Sequence, residues 1–462
     1  MGLFGGVQVL GILCSIVRTK LVAVLIGSVG VGLFGLFNNA LEMISTITNL
    51  GVRSSSVRDI SQAQASGESS LVARIIVVVR RWSLWLGLGG ATLTLVLAPL
   101  LSQFTFGDYD HIWGFVALSV AVLLLALTNG EQAVLQGTRL LRRLARASIW
   151  GTLGGLAISV PLFYFLRERS VLPSIVAYAA CGALAVWLLR NKDYSPVKVT
   201  NREAATMGAG FVRLGVYMTI GNFATILASY VFNAWLNHHG GTSQVGYYQA
   251  GYTLINHYTG LLFTALGMEY YPRLASVSES RLRLRVFVCQ EINLALLVLA
   301  PVATAFVLFR HELVWLLYTE EFSVVLTYIS WGMIGMAFRA ISWCMAFVIL
   351  ARGDGKTYVV TETLSAIAGL ILNIVCYQRW GITGLGVSFV LWYMFYTLVV
   401  AWVYYRRYHL SLSAGTLMGL LWTIAVVSLA MLSMEHGLWW AAALVTVATA
   451  AVSLVRLRKA WR

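Results

Sequence analysis

Basic side chains lie within or beside the long apolar stretches of this chain, where a charge is costly and implies a use. They are Arg18, Lys20, Arg53, Arg213 and Arg339. A charge near the bilayer centre costs about 2.5–3.5 kcal/mol on insertion scales, and a guanidinium binds phosphate oxygens through paired hydrogen bonds. The set predicts a cationic site for a phosphorylated ligand. Lys20 lies about 200° round a helix from Arg18, so the two face differently. Surface anchoring explains Arg53 and Arg213 equally well, because both lie near predicted helix ends.

Polar side chains also recur at steps of three and four residues in the apolar stretches, which keeps them on one helix face. The faces are Gln8, Gly11, Ser15 and Arg18; Asn38, Glu42, Ser45, Asn49 and Arg53; Asn222, Thr225, Ser229 and Asn233; and Glu362, Ser365, Gly369 and Asn373. Such faces avoid lipid and line helix contacts or a water-filled cavity. Helix contact is the plainer explanation for Ser, Thr and Gly. We predict that Asn38, Glu42, Asn49, Asn222 and Asn256 line a cavity.

The composition requires membrane helices to position these residues. The chain has 462 residues, of which 59% are hydrophobic and 11% charged, whereas soluble domains carry about 25% charged residues. A crossing needs about 20 apolar residues, so the apolar runs predict an all-α polytopic membrane protein with about fourteen spans. The spans lie near residues 2–26, 33–56, 82–104, 112–136, 147–166, 171–189, 208–236, 245–270, 286–309, 323–350, 356–377, 382–404, 411–433 and 437–455.

Lysine and arginine cluster in alternate connections between these spans. If both termini are cytoplasmic, seven cytoplasmic segments hold most of the 33 Lys and Arg residues. The periplasmic connections hold only Arg167, Arg169, Arg310 and Arg379. Basic residues stay on the cytoplasmic side during insertion. The net charge of +15 is therefore mostly topological, and we expect no nucleic-acid partner.

An internal repeat divides the chain. The run Val31-Gly32-Leu33-Phe34 opens the second span and Val245-Gly246-Tyr247-Tyr248 opens the eighth, an offset of 214 residues, while Gly137 and Gly353 mark connections 216 apart. Six crossings per copy give two parallel lobes. We predict an N-lobe at 1–190, a cytoplasmic linker at 191–205, a C-lobe at 206–407, and two further helices with a basic cytoplasmic tail at 408–462.

Catalytic patterns are absent from the sequence. It has no phosphate-binding loop, no GxSxG and no HExxH motif, and its five cysteines stand singly in apolar runs, which indicates neither a disulfide nor a metal site. His238 and His239 are adjacent in a predicted periplasmic loop, where solvation is the plain explanation. We therefore predict a transporter that has no cofactor and no metal, and is not an enzyme.

Several short motifs resemble a known family. They are residues 18–27 (RTKLVAVLIG), 30–38 (GVGLFGLFN) and 50–53 (LGVR) in the first lobe, and 244–249 (QVGYYQ), 271–274 (YPRL) and Glu321-Phe322 in the second. This set is similar to Wzx-type lipid-linked oligosaccharide flippases of the multidrug/oligosaccharidyl-lipid/polysaccharide exporter superfamily, over residues 1–405. The two extra C-terminal helices resemble those of peptidoglycan-precursor flippases.

The resemblance implies two six-helix lobes in a V-shaped, MATE-like arrangement that opens alternately to each side. Its cargo would be an undecaprenyl-pyrophosphate-linked oligosaccharide, turned from the cytoplasmic to the periplasmic leaflet of the bacterial inner membrane for surface polysaccharide such as O-antigen. Arg18 and Arg53 match by position the cations that hold the pyrophosphate in relatives, whereas Arg213 and Arg339 rest on burial alone. Membrane lipids, a polysaccharide polymerase and a chain-length regulator are the further partners implied.

Other hypotheses remain at this stage. A multidrug or cation antiporter of the same superfamily would need a carboxylate site, for which Glu42, Glu131, Glu291 and Glu362 are available. A membrane glycosyltransferase or polymerase is disfavoured because no large aqueous segment carries acidic residues. Protonation of Glu42, His257 or Glu362 could couple transport to an ion gradient. Glu42 could instead pair with Arg18, and His257 could be a hydrogen-bonded packing residue.

Overall fold

Helices and short connections make up the whole described part of the chain. The computed structural model describes residues 2–49, 51–194, 197–277 and 280–460. The α-helices are α1 (Gly2–Asn49), α2 (Val52–Ser66), α3 (Ser69–Phe106), α4 (Ile112–Gly137), α5 (Leu141–Leu166), α6 (Val171–Leu188), α7 (Asn201–Gly240), α8 (Thr242–Tyr252), α9 (Thr259–Val277), α10 (Arg281–Leu308), α11 (Arg310–Leu317), α12 (Leu326–Ala351), α13 (Gly355–Tyr408), α14 (Ala414–Glu435) and α15 (Trp439–Ala460). Single 3₁₀ turns occupy Arg167–Ser170 and Glu320–Val325, and a π-helical turn occupies Thr253–Tyr258.

Nine helical segments of the described residues are long and apolar enough to cross a membrane. Three of them have 40, 48 and 54 residues, about twice the length of one crossing. The Arg18 guanidinium lies 4.9 Å from the Phe34 ring, although a straight helix would separate these residues by about 24 Å. Helix α1 therefore folds back on itself at Gly27. With α7 and the run α8–α9, the predicted all-α fold of about fourteen spans is confirmed.

The internal repeat is present in the backbone conformation. Three pairs of residues with positive φ recur at an offset of 214. They are Gly27 and Gly241 (φ 77° and 82°), Arg139 and Gly353 (58° and 69°), and Arg167 and Gly381 (47° and 59°). Each pair ends or reverses a helix at the same point of its copy. The counterpart of Gly353 is therefore Arg139 and not Gly137, which corrects the offset of 216 inferred from the sequence at this connection.

Contacts divide the chain into two units, residues 1–246 and 247–462. The first is built around Phe37, Phe115, Leu118 and Val122 from α1 and α4. It includes α7, which lies beside α3 along its length. The second is built around α10, α12 and α13, where Ile292, Met336 and Ile341 are among the fully buried side chains. The lobe boundaries predicted from the sequence remain a prediction.

The basic connections of the first unit are bonded to one another. Arg74 pairs with Glu203 at 3.6 Å and Arg143 with Asp193 at 3.3 Å. The Arg80 guanidinium donates to the Asn191 carbonyl at 3.1 Å. The connections near residues 67, 139 and 195 therefore meet on one face of the unit. That is the arrangement expected if all three lie on the same side of a membrane.

In the second unit, the two ends of α13 are tied together. Asp354 accepts from Arg407 at 2.6 Å, from the Tyr408 hydroxyl at 3.0 Å and from the Thr357 hydroxyl at 2.8 Å. Burial would raise the pKa of the Asp354 carboxyl, but the hydrogen bonds from Thr357 and Tyr408 and the charge of Arg407 outweigh it and lower this pKa. Both ends of α13 therefore lie on one face, and the helix crosses twice by reversing at Gly381.

On the opposite face of the first unit, the ends of α3 and α7 are joined by what we call the α3–α7 latch. Thr105 and Tyr230 share a buried hydrogen bond of 2.6 Å between their hydroxyls. Asn237 donates to the Thr105 carbonyl at 3.0 Å, and a ring nitrogen of His238 lies 2.8 Å from the Phe104 carbonyl. His238 and His239 lie in the last turn of α7 and not in a loop, which corrects that assignment, and both side chains are exposed, as a solvated pair would be.

Beside this latch, the repeated Val-Gly motifs face each other reciprocally. A Cβ on Gly32 would lie 2.0 Å from the Thr242 carbonyl oxygen, and a Cβ on Gly246 would lie 2.1 Å from the Ser28 carbonyl oxygen. These two contacts are equivalent under the 214-residue offset, as in a contact across a two-fold axis. Only glycine permits this approach of the two backbones.

Candidate functional site

A polar cavity of about 470 Å³ lies in the first unit among α1, α4 and α7. Its polar lining includes Asn38, Glu42, Ser45, Asn49, Asn129 and Thr219. The helical spacing predicted that the first four share a face, and they do. Asn129 on α4 and Thr219 on α7 were not predicted from the sequence, although Thr219 precedes Asn222 by three residues and so extends the predicted polar face of α7. Cavities of 300–1,000 Å³ with a few placed polar groups are typical ligand sites.

The cavity offers hydrogen-bonding capacity and one negative charge. The Asn38 amide nitrogen donates to the Phe34 carbonyl at 2.7 Å, which leaves its amide oxygen free to face the cavity. The Ser45 hydroxyl is buried and has no hydrogen-bond partner among the residues that the structure describes. The Glu42 side chain is exposed and forms no ion pair within the described ranges. Amides, hydroxyls and a carboxylate together suit a ligand rich in hydroxyl groups.

Arg18 is held by aromatic rings and not by Glu42. Its guanidinium carbon lies 4.9 Å from the ring centres of Phe34 and Tyr178, the geometry of cation–π attraction. The side chain is partly buried, and within residues 2–49, 51–194, 197–277 and 280–460 it has no carboxylate partner. Glu42 follows Phe34 by eight residues, or about 12 Å along the helix. The alternative of an Arg18–Glu42 pair is therefore wrong.

The other predicted site residues of the first unit are dispersed. Lys20 is partly buried, on the side of α1 away from Arg18. Arg53 is exposed in the first turn of α2, and Asn222 is exposed on α7. The side chain of Arg213 lies outside the described residues. Of the predicted set, this unit thus gathers Asn38, Glu42 and Asn49 around one cavity.

In the second unit, Arg339 on α12 meets Asn256. The Arg339 guanidinium donates to the Asn256 amide oxygen, and its carbon lies 5.7 Å and 5.4 Å from the rings of Phe263 and Tyr393. Asn256 lies on the π-helical turn Thr253–Tyr258, a distortion that is frequent at functional sites. Arg339 is partly buried and forms no ion pair in the described part of the chain. The His257 side chain lies outside the described residues.

Glu362 on α13 lies near Arg339 and its aromatic neighbours. Its carboxylate accepts a hydrogen bond from the Tyr396 hydroxyl, and it is partly buried. Tyr393 is close to both Arg339 and Glu362. The sequence predicted Arg339, Asn256 and Glu362 separately, and the fold brings them into one neighbourhood. The sequence alone could not predict the aromatic partners of Arg339, because Phe263 and Tyr393 look like any other apolar residue of a membrane helix.

Two of the remaining carboxylates are engaged elsewhere. Glu131 accepts from Arg80 in a two-point pair at 2.6 Å and 3.0 Å, and Glu291 has an electrostatic or hydrogen-bonding partner. Among the residues searched, no group of three His, Cys, Asp or Glu side chains could hold a metal ion. All five cysteines are free, four of them buried.

Comparison with known proteins places this fold. A family model described as "Polysaccharide biosynthesis protein" matches residues 32–327. The lipid III flippases of Escherichia coli (strain K12) and Shigella flexneri are each 20% identical over 356 residues, 74% of this chain and 82% of the relative. The solved structure of the lipid II flippase MurJ in an inward closed conformation has a TM-score of 0.71 at 11% identity, covering 100% of both chains. An inward-facing multidrug resistance MATE transporter of the MOP superfamily has a TM-score of 0.68 at 14% identity, covering 90% of this chain and 94% of its own. The predicted MATE-like fold is confirmed, and the family match agrees with the predicted resemblance to polysaccharide-biosynthesis membrane proteins.

Proposed function

The chain belongs to the polysaccharide biosynthesis protein family, and from this premise we propose that it is a flippase for a lipid-linked oligosaccharide. The cargo is a glycan joined through pyrophosphate to a polyprenyl chain such as undecaprenol. It moves from the cytoplasmic to the periplasmic leaflet of the bacterial inner membrane by alternating access. The 20%-identical relatives are lipid III flippases, which supports a lipid-linked substrate.

The observation that carries the proposal is that each unit holds an arginine with no carboxylate partner among the described side chains. Arg18 and Arg339 lie in membrane-spanning helices, and their contacts within the described ranges are aromatic rings, an amide and a thioether. A buried cation of this kind keeps hydrogen-bond donors available, and pyrophosphate oxygens accept them in pairs. Arg53, Arg213 and Lys20 are secondary candidates for the same anion.

The polar cavity and the arginines suit different parts of the ligand. Its amides, hydroxyls and one carboxylate match sugar hydroxyls, and none of the described residues that line it is a cation that would compete for the pyrophosphate. We assign the glycan to this cavity and the pyrophosphate to the arginines. Asn256 would then orient Arg339, because its amide oxygen already fixes one nitrogen of the guanidinium.

We infer the orientation from the basic connections that are bonded to one another, which support it. The face that carries Arg74, Arg80 and Arg143 in the first unit is the cytoplasmic one under the positive-inside rule. The ends of α13 with Arg407 are cytoplasmic for the same reason. Both termini are then cytoplasmic, as the charge distribution predicts.

A cation antiporter is the second candidate, because Glu42 is exposed, lines the cavity and forms no ion pair with any described residue. Glu42→Gln separates the two. In the flippase, glutamine still bonds sugar hydroxyls, and flipping falls less than threefold; in an antiporter or a proton-coupled transporter, loss of the titrating group abolishes transport. His257 and Glu362 are tested as coupling residues in the same way, with His257→Gln and Glu362→Gln assayed with and without a proton gradient.

The deciding experiment measures flipping in proteoliposomes that contain a fluorescent polyprenyl-pyrophosphate disaccharide. Arg18→Ala and Arg339→Ala should each slow it at least tenfold, since a charge-assisted contact contributes about 1.5–3 kcal/mol. Arg379→Ala is the matched control, because this arginine is exposed and is not among the residues that contact Arg18 or Arg339. Normal rates in both test variants would overturn the proposal, and drug efflux unaffected by either would favour the antiporter.

A further inference from the structure

A second, apolar groove of about 530 Å³ lies on the first unit between α4 and α6. Its apolar walls are Leu124, Leu127, Ala180, Ala183, Leu184 and Trp187. Leu184 and Trp187 are 57% and 54% exposed, on a segment apolar enough to cross a membrane. Exposed apolar residues of a spanning helix face lipid. The groove is therefore open to the hydrocarbon region.

The depth of the groove comes from small residues set among larger ones. Gly130 forms part of its lining, and a Cβ there would lie 2.1 Å from the Ser83 hydroxyl oxygen of α3. Helices α3 and α4 thus touch directly below the groove. On the α6 side, the small side chains of Ala180 and Ala183 leave space. On the α4 side, Leu124 and Leu127 form the wall of that space. This space has room for one flexible hydrocarbon chain.

One end of the groove is cationic. Arg80 lines it together with Glu131, and the Arg80 bonds to Glu131 and to the Asn191 carbonyl use Nε and Nη2. Its Nη1 has no hydrogen bond to any described residue. The Arg190 guanidinium lies 5.2 Å from the ring of Trp187, at the same end. An apolar groove that ends in guanidinium groups is complementary to an amphiphile with an anionic head.

We propose that this groove holds the phosphate-proximal part of the cargo's polyprenyl chain in the cytoplasmic leaflet, with its phosphate beside Arg190 and Arg80. This is the position of the cargo before its head reaches Arg18 and Arg339. This rests on the proposed flippase function. Removing a hydrocarbon chain from the bilayer costs about 0.8 kcal/mol per CH₂, so the chain has to stay in the hydrocarbon region, to which this groove is open, while the head moves. A polyprenyl lipid brings a single chain, which the groove accommodates, whereas a phospholipid brings two.

The test uses the full-length protein in nanodiscs and a polyprenyl monophosphate that carries a photoreactive diazirine on its chain. Labelled peptides should come from α4 and α6, and unlabelled undecaprenyl phosphate should displace the probe at a tenfold lower concentration than phosphatidylglycerol does. Ala183→Trp fills the groove and should lower labelling at least fivefold. Ala180→Leu fills it less severely and should have an intermediate effect. Val120→Trp is the control, because Val120 lies on α4, is 47% exposed and is not part of the groove.

The cationic end is tested separately. Arg190→Ala should weaken displacement by undecaprenyl phosphate about fivefold, as expected for one partly exposed charge, and Arg190→Lys should restore most of it. The proposal is overturned if the label maps outside α4 and α6, if phosphatidylglycerol competes equally, or if both groove-filling variants label normally. Labelling does not require transport. Correct labelling without flipping would therefore remove the flippase function and leave the groove as a lipid site. Flipping without labelling would leave the flippase function and remove the groove as the site of the chain.

Discussion

The reciprocal glycine contact makes the sharpest prediction, because two residues 214 apart should behave alike. Alanine at Gly32 or at Gly246 places a Cβ 2.0 or 2.1 Å from a carbonyl oxygen. Real contacts start near 3.0 Å, so the backbones have to separate by about 1 Å. Overpacking of this kind costs about 1–3 kcal/mol. Because about 1.4 kcal/mol changes an equilibrium tenfold, a cost of about 2 kcal/mol shifts the latched face toward opening about thirtyfold.

Hydrogen–deuterium exchange with mass spectrometry measures this opening directly. The amides of Gly107 and Gly241 bond to the last turns of α3 and α7, so they report on the α3–α7 latch. Both single variants should raise exchange at these amides by similar factors, and the double variant should add little, since one separation relieves both clashes. Gly89→Ala is the control: its Cβ meets nothing within 4 Å, and it should stabilise α3 by about 0.5–1 kcal/mol.

Unequal effects of the two alanines, or lower thermal stability without faster exchange at the latch, would refute the reasoning. The first result would mean that the two contacts are not equivalent. The second would mean that the strain is absorbed elsewhere in the unit. Either result can be read without any transport measurement.

Three further predictions concern stability and are checked by thermal unfolding in detergent. Arg167→Gly should raise the unfolding free energy by about 1 kcal/mol, since Arg167 has a positive φ at the position where its counterpart Gly381 is glycine. Arg80→Ala should lower the unfolding free energy by about 2 kcal/mol, because Glu131 loses a partly buried two-point partner, and Glu131→Gln should recover part of that loss. Asp354 has a lowered pKa, so its ionised form stabilises the folded protein. This contribution to the unfolding free energy is complete above the ordinary pKa of about 3.9 and is lost as the pH falls through the lowered value. Asp354→Asn should therefore make the loss of stability at acidic pH less steep.

Much of the architecture was accessible from the sequence, because a lipid solvent leaves few choices. Apolar runs of about 20 residues have to become helices, since no water satisfies their backbone groups. Helical spacing placed Asn38, Glu42 and Asn49 on one face, and they line one cavity. The repeated Val-Gly runs indicated two copies, and the positive-φ pairs fixed their register.

Other features depended on which residues meet across helices. Glu42 and Arg18 lie in the same hairpin, yet Arg18 packs against Phe34 and Tyr178. Glu131 looked available as a cation ligand, but it pairs with Arg80, 51 residues earlier. Hydropathy assigns Phe263 and Tyr393 to membrane helices without saying that they flank Arg339.

The sequence by itself determined the membrane class, the spans, the repeat and the arginines that are expensive to bury, because each of these follows from transfer free energy and periodicity along the chain. Only the tertiary structure decided which charges are neutralised, which polar faces enclose space and where two backbones touch. The physical reason is that a helix face is defined locally, whereas the partner opposite it is set by packing between segments far apart in the chain.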